Sequence, residues 1–352
     1  MLQQLGYTNR VQERINTTNT EELARVITVH KDSYIVRNAA GIFRAEITGN
    51  LRFSAQNSED FPAVGDWVRI TLMDKNTAII LEIFERFSTL KRQAVGKYGE
   101  DQLIATNIDY AYVTMSATRD FNLNRLDRYI AICRAGNIEP IVLLTKTDLS
   151  APKEVKLMID QINQRHSNIA VATLSIEQSE SFQALTQQMI PNMTYCLVGS
   201  SGVGKSTIIN YLMGNEGLKT NEISESTQKG KHTTTHRELF ILDNESIVID
   251  TPGMREVGIS SNAEGIASTF DQIVQYATHC KFKDCTHTNE VGCAILDAID
   301  SGELSYGTYE SYMKLQREQQ HYSKTVMEKK QQDKSFGKMV KRVKQLRKNN
   351  KF

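Results

Sequence analysis

At 352 residues the chain exceeds what one hydrophobic core organises, and with 40 % hydrophobic, 24 % charged and 7 % aromatic residues it is no disordered chain. The net charge of +1 hides an asymmetry: from Arg317 to Phe352 there are 12 Lys or Arg against 3 Asp or Glu, so a +9 tail follows a −8 body. No stretch approaches the ~18 apolar residues of a membrane span, and the N-terminus lacks a basic-then-apolar leader, so no membrane partner and a cytoplasmic location are expected.

Residues 1–85 contain five short β-branched runs broken by turn residues: ARVITVH, SYIVRN, GIFRAEIT, DWVRITL and TAIILEIF. Strands at this spacing predict a small β-barrel. Pattern alone leaves an OB-fold and an SH3-like barrel equally open. Barrels of either kind often bind RNA. The charged, glycine-containing segment KRQAVGKYGEDQ then reads as a linker.

From about Ile108 apolar strands alternate with amphipathic helices, through IDYAYVTM, LNRLDRYIAICRAG, PIVLLTK, PKEVKLMIDQINQRH, IAVATLSI, SFQALTQQMI, YCLVG and KSTIINYLMG. This alternation predicts a mostly parallel sheet covered by helices. RELFIL and SIVID add two strands, paired through a turn at Asp243-Asn244. Cys133 and Cys196 fall inside apolar runs and read as small buried hydrophobes. Beyond Gly253 the strand signal stops, and a boundary to a third domain is placed at residue 258.

Gly199-Ser200-Ser201-Gly202-Val203-Gly204-Lys205-Ser206, followed by Thr207, matches G-x-x-x-x-G-K-[ST] between a predicted strand and a predicted helix. Glycines let successive N–H groups turn around phosphate oxygens, and the helix presents its positive end to the same anion. Lys205 is expected on the β and γ phosphates and the Ser206 hydroxyl on Mg²⁺. Asp250, ending SIVID, is expected to hold Mg²⁺ through a water, and Gly253 to sense the γ phosphate. Among Thr233, Thr234 and Thr235 in KHTTTH, Thr234 is favoured to complete the metal shell.

The base is read from Thr145-Lys146-Thr147-Asp148, after the strand PIVLL. A carboxylate accepts from both N1–H and the 2-amino group of guanine, whereas adenine offers an acceptor at N1 and nothing at C2, so Asp148 selects guanine. The Lys146 stem can cover the base. TKTD resembles the N-K-x-D of translation-factor-like GTPases. Thr145 keeps a hydroxyl but loses the amide that ties the base to neighbouring loops, so weakened affinity is expected. The backbone around Ser175 resembles the further base-contacting loop of that class, with Ile176 where a small residue is usual.

In ordinary GTPases the phosphate loop comes first, yet here TKTD precedes it; moving Tyr195–Asp250 ahead of Ile108 restores the order, so the domain reads as circularly permuted. Cys280, Cys285, His287 and Cys293 follow, four ligands that one tetrahedral Zn²⁺ can gather in a closed, structural site.

The motifs NIDYAYV, GSSGVGKST, KHTTTHRE, DTPGMRE and CKFKDCTHTNEVGCA, spread over nearly the whole chain, resemble the ribosome small-subunit-dependent GTPase A family. That resemblance implies an OB-fold over 1–85, a permuted α/β P-loop GTPase domain over 86–257, and a mostly helical zinc domain with a basic tail over 258–352. It implies GTP and GDP as ligands, Mg²⁺ with GTP, one structural Zn²⁺, and the small ribosomal subunit with its 16S rRNA as partner in late maturation. A monomer is expected.

Val291 departs from the proline common before the final Gly-Cys. Met254 stands where many GTPases carry a water-orienting glutamine, so slow intrinsic hydrolysis is expected, stimulated when the subunit orders Gly230–His236, with His232 or His236 as water-positioning groups. A P-loop ATPase or small-molecule kinase, and an RNA-binding zinc protein that holds nucleotide only structurally, are the rival readings. The basic tail carries enough charge to meet rRNA phosphates.

Overall fold

The computed structural model describes residues 2–15, 19–31, 33–93, 101–214, 237–251 and 263–322. A short helix, α1 (Asn9–Gln12), precedes β1 (Leu23–Val29), β2 (Tyr34–Arg37) and β3 (Ile42–Ile47); helix α2 (Gly49–Ser54) leads to β4 (Trp67–Leu72) and β5 (Thr77–Ile83). All five predicted runs are strands. They pair in the order β1-β2-β3-β5-β4, and β4 returns to β1. The β3–β5 pair alone is parallel. A closed five-stranded barrel with this connectivity is an OB-fold, which decides what the pattern left open. Its interior holds Ala24, Val26, Val36, Phe43, Val68, Ile70 and Ile80.

Both described ends of the expected linker are strand. Thr89–Gln93 forms β6 and Asp101–Thr106 forms β7, an antiparallel pair that builds its own two-stranded sheet. Leu90, Leu103, Ile104 and Ala105 are buried, so the apolar residues flanking the charged stretch outweigh its composition.

The α/β region follows the predicted alternation: β8 (Tyr110–Ser116), α3 (Leu123–Ala135), β9 (Glu139–Thr145), α4 (Pro152–Arg165), β10 (Val171–Leu174), α5 (Ser179–Gln188), β11 (Thr194–Gly199), α6 (Lys205–Leu212), β12 (Glu238–Ile241) and β13 (Ile247–Asp250). The order is β10-β9-β8-β11-β13-β12, parallel except for β12. Successive residues of each strand face opposite layers. In β11, Cys196 and Val198 face the α3 side, while Tyr195 and Leu197 face the α5 and α6 side. Cys133 and Cys196 are fully buried, and burial pushes the Cys133 thiol up to about 12, so it stays protonated and inert.

Two contacts fix the barrel to this sheet. Thr28 of β1 pairs with Glu238 of β12, making the barrel wall and the α/β sheet one hydrogen-bonded surface. Beside that seam, the fully buried Arg25 guanidinium donates to the carbonyls of Leu5 (2.6 Å), Asn107 (2.9 Å) and Gly65 (3.2 Å). Gly65 is forced there, because a Cβ would stand 2.1 Å from the Thr106 carbonyl oxygen.

The C-terminal helices are α7 (Ala263–Thr269), α8 (Asp271–Ala277), α9 (Ala294–Asp300) and α10 (Tyr306–Tyr322). The predicted boundary at 258 lies outside the described residues. Ile266, Phe270, Ile273, Ile295, Tyr312 and Leu315 share one core with Leu126, Ile130 and Cys133 of α3. Gly265 lets α7 approach α3 so closely that a Cβ would meet the Ala131 carbonyl oxygen and the Ala135 Cβ at 2.5 Å. Asp127, fully buried on α3, accepts from Arg165 (2.5 Å) and Ser311 (2.6 Å) and bonds His166 at 2.7 Å. Arg128 and Glu318 add a bidentate pair at 2.7 and 2.6 Å. No helix among the described residues is long and apolar enough to cross a membrane.

Candidate nucleotide site and metal centre

The phosphate loop joins β11 to α6 at the carboxyl end of the parallel strands, where α/β folds place their ligands. Gly199, Gly202 and Gly204 have φ of 148°, 79° and 99°, a region that L side chains avoid. At Gly199 a Cβ would also stand 2.3 Å from the Thr114 carbonyl oxygen, so β8 and β11 touch backbone to backbone below the loop. Lys205 Nζ donates to the carbonyls of Gly199 (2.7 Å) and Ser200 (2.5 Å), which folds the ammonium over the loop mouth. Ser206 is exposed beside it.

Asp250 ends β13 two strands from β8, level with the loop. Burial raises its pKa, Glu238 across the ladder raises it further, and Lys205 opposes them. Thr251 donates from Oγ1 to the Leu197 carbonyl at 3.0 Å and ties this strand end to β11. Gly253, Met254, His232, Thr234 and His236 lie outside the described residues.

The base-reading segment meets the phosphate loop directly. Thr145 is fully buried, and its Oγ1 lies 2.7 Å from the Val203 carbonyl oxygen and 3.2 Å from that of Met115. The hydroxyl thus ties this segment to the phosphate loop. Lys146 takes a left-handed conformation (φ 57°), and Thr147 and Asp148 begin a single 3₁₀ turn that leaves Asp148 exposed. From the turn after β10, Ile176 Cδ1 stands 3.7 Å from where a Gly204 Cβ would be. The Ser175 hydroxyl is buried with no hydrogen-bond partner among the described residues, an orphan polar atom at the rim of this site. Thr145–Asp148, Ser175–Ile176 and Gly199–Thr207 therefore form one constellation despite their separation in sequence.

The four metal-ligand candidates also converge. One ligand atom from each of Cys280, Cys285, His287 and Cys293 lies within 4.8 Å of the others. Cys280 Sγ is 3.9 Å from Cys293 Sγ and 3.6 Å from His287 Nδ1, and Cys293 Sγ is 3.5 Å from the same nitrogen. A tetrahedral zinc with Zn–S of about 2.3 Å requires S···S edges of about 3.8 Å, so the donors fit that ion. Burial lowers the His287 pKa, favouring the neutral imidazole a metal needs, and desolvation, helped by the neighbouring thiols of Cys293 and Cys280, pushes Cys285 up to about 12 without metal.

Sequence reasoning missed the scaffold around these ligands. Glu290 accepts from the backbone N–H groups of Thr286, Thr288 and Asn289, and Tyr309 of α10 donates to the His287 carbonyl at 2.8 Å. It also missed Arg125, whose Nη1 donates to Ser200 Oγ at 3.2 Å. Nothing in NLNRLDR distinguishes that arginine from Arg128.

Comparison with known proteins agrees with this geometry. A family model described as RsgA GTPase matches residues 83–260, and one described as 50S ribosome-binding GTPase matches residues 194–327. The small ribosomal subunit biogenesis GTPase RsgA 1 of Bacteroides thetaiotaomicron is 37 % identical over 96 % of this chain and 94 % of its own. RsgA 2 of Listeria monocytogenes serotype 4b is 40 % identical over 92 % of this chain and 90 % of its own. Among solved structures, YjeQ from Thermotoga maritima superposes with a TM-score of 0.65 at 20 % identity, over 86 % of this chain and 99 % of its own. YloQ, described as a circularly permuted GTPase, gives 0.64 at 22 %, over 89 % of this chain and 100 % of its own.

Proposed function

This chain belongs to the RsgA GTPase family, and from that premise we propose that it hydrolyses GTP while assisting late maturation of the small ribosomal subunit in the cytoplasm. The observation that supports the reading is the meeting of Thr145 with Val203, which brings the segment carrying Asp148 to the phosphate loop. The curated relatives are named as small ribosomal subunit biogenesis GTPases, and 16S rRNA is the partner we assign to the OB-fold and the basic tail.

In this reading Asp148 accepts from guanine N1–H and the 2-amino group, Lys146 covers the ring, and the Ser175 segment closes the far side. The loop N–H groups from Ser201 to Thr207 and Lys205 hold the phosphates. Ser206, Asp250 and Thr234 are the residues we assign to Mg²⁺, which when bound neutralises charge on the β and γ phosphates. Gly253 senses the γ phosphate. With methionine at 254, the water-positioning role falls to His232 or His236, set in place by the subunit. Cys280, Cys285, His287 and Cys293 hold one structural Zn²⁺, and the protein acts as a monomer.

The test is multiple-turnover hydrolysis of GTP and ATP, with and without small subunits. Turnover of GTP alone, rising with subunits, is expected. Equal turnover of ATP would favour a P-loop ATPase, and binding without turnover even with subunits would favour a zinc protein using nucleotide as a structural ligand.

A further inference from the structure

Helix α3 carries three arginines, and two have structural partners. Arg128 pairs with Glu318, and Arg134 donates to the Ser268 carbonyl. Arg125 differs: it is exposed, and among the described residues its single side-chain hydrogen bond runs from Nη1 to Ser200 Oγ at 3.2 Å, with no ion pair to a carboxylate.

Ser200 follows the first glycine of the phosphate loop, and its carbonyl already accepts from Lys205 Nζ. Two cations therefore reach the same loop residue, one from α6 and one from α3. The fold dictates this meeting. Because β8 and β11 touch at Thr114 and Gly199, the chain leaving β8 must pass the loop. Asn122 then caps α3 by accepting from the Arg125 N–H at 2.9 Å, which sets the first helical turn beside Ser200. In a P-loop protein the lysine marks where the β and γ phosphates sit.

We propose that Arg125 is a phosphate-positioning arginine supplied by the chain itself: on GTP binding its guanidinium turns from Ser200 Oγ to the terminal phosphate, and it holds the charge that develops there during hydrolysis. A guanidinium offers five donors in a fixed plane and suits a phosphoryl group leaving with spread charge. Such a group stabilises charge on the phosphoryl oxygens and leaves the positioning of the water to other residues. The inference rests on reading Gly199–Thr207 as a GTP site.

The test uses the full chain with small subunits and Mg²⁺, as wild type, Arg125→Ala and Arg125→Lys. GDP affinity and affinity for GDP with aluminium fluoride are measured by equilibrium titration, and GTP cleavage by single turnover. Arg125→Ala is expected to leave GDP affinity within about twofold and to lower both the fluoride-complex affinity and the cleavage rate by about ten- to a hundredfold, with lysine restoring part of each. Equal losses for GDP and the fluoride complex would reduce Arg125 to a support for the loop and overturn the proposal, as would unchanged cleavage. If the wild type itself cleaves no GTP, the GTPase reading fails; if it does and the alanine variant matches it, only the role of Arg125 fails.

Discussion

The Thr145 hydroxyl lies 2.7 Å from the Val203 carbonyl oxygen, joining the base-reading strand to the middle of the phosphate loop. Both groups are buried, so the bond has no water to replace it. Thr145→Val keeps the shape and leaves the Val203 carbonyl unsatisfied. The expected loss is about 1–3 kcal/mol, shared by GTP and GDP, and read by titrating each nucleotide. A loss confined to GTP would contradict this account, because the tie lies below both.

The role proposed for Asp148 is different: to choose the base without supporting the loop. Asp148→Asn turns one acceptor into a donor facing the guanine 2-amino group. GTP affinity is expected to fall by about ten- to a hundredfold while ATP affinity stays where it was. Competition titration with the two nucleotides checks this, and an unchanged preference would remove Asp148 from the site.

Asp250 carries a cost that its proposed role explains. Burial and Glu238 raise its pKa, so its charged form is less stable in the folded chain than in the unfolded one. The sign is opposite to that of a salt-bridged aspartate: the penalty is present above the ordinary carboxylate range and disappears as pH falls below it. Asp250→Asn is therefore expected to raise the melting temperature of the nucleotide-free protein at pH 7, to lose that gain near pH 3, and to abolish the dependence of GTP affinity on Mg²⁺. Melting curves at the two pH values and titrations with and without Mg²⁺ give the answer.

Zinc loss should reach the GTPase domain. Cys293 is buried in the core that α9 and α10 share with α3, and Tyr309 ties α10 to the ligand loop. Cys293→Ser is expected to lower bound zinc from one per chain toward none and to lower the melting temperature of the whole protein in a single transition. Two separate transitions in calorimetry would show that the shared core does not couple the parts.

Gly265 tests the same junction without touching a metal ligand. A methyl group there would overlap the Ala131 carbonyl oxygen and Ala135, both parts of helix α3. Gly265→Ala is expected to cost about 1–3 kcal/mol in denaturant unfolding, although alanine normally favours a helix over glycine. A stabilised variant would mean that α7 stands off from α3.

The junction also places the start of the basic tail. Arg317 to Tyr322 belong to α10, and Glu318 clamps Arg128, so a truncation meant to remove only the charged tail should begin after Tyr322. Cutting at Gln316 would remove that clamp as well and confuse loss of rRNA contact with loss of packing.

By itself the sequence pointed to the phosphate loop, to TKTD as the proposed guanine-reading segment, to the permuted order and to the four candidate metal ligands. Each is a local pattern whose chemistry depends on spacing: glycines where φ must be positive, a carboxylate after a strand, soft donors within fourteen residues. It also determined that a small barrel comes first. It left the barrel's type open, because alternation reports which face is buried and not which strands pair. Only the tertiary structure decided that β3 runs parallel to β5, that Thr28 and Glu238 continue the sheet into the barrel, and that the Thr145 hydroxyl meets the Val203 carbonyl. Only it set Arg125 against Ser200, 75 residues away. Such relationships arise where separate segments are forced together by a shared core, and no window along the chain contains both partners.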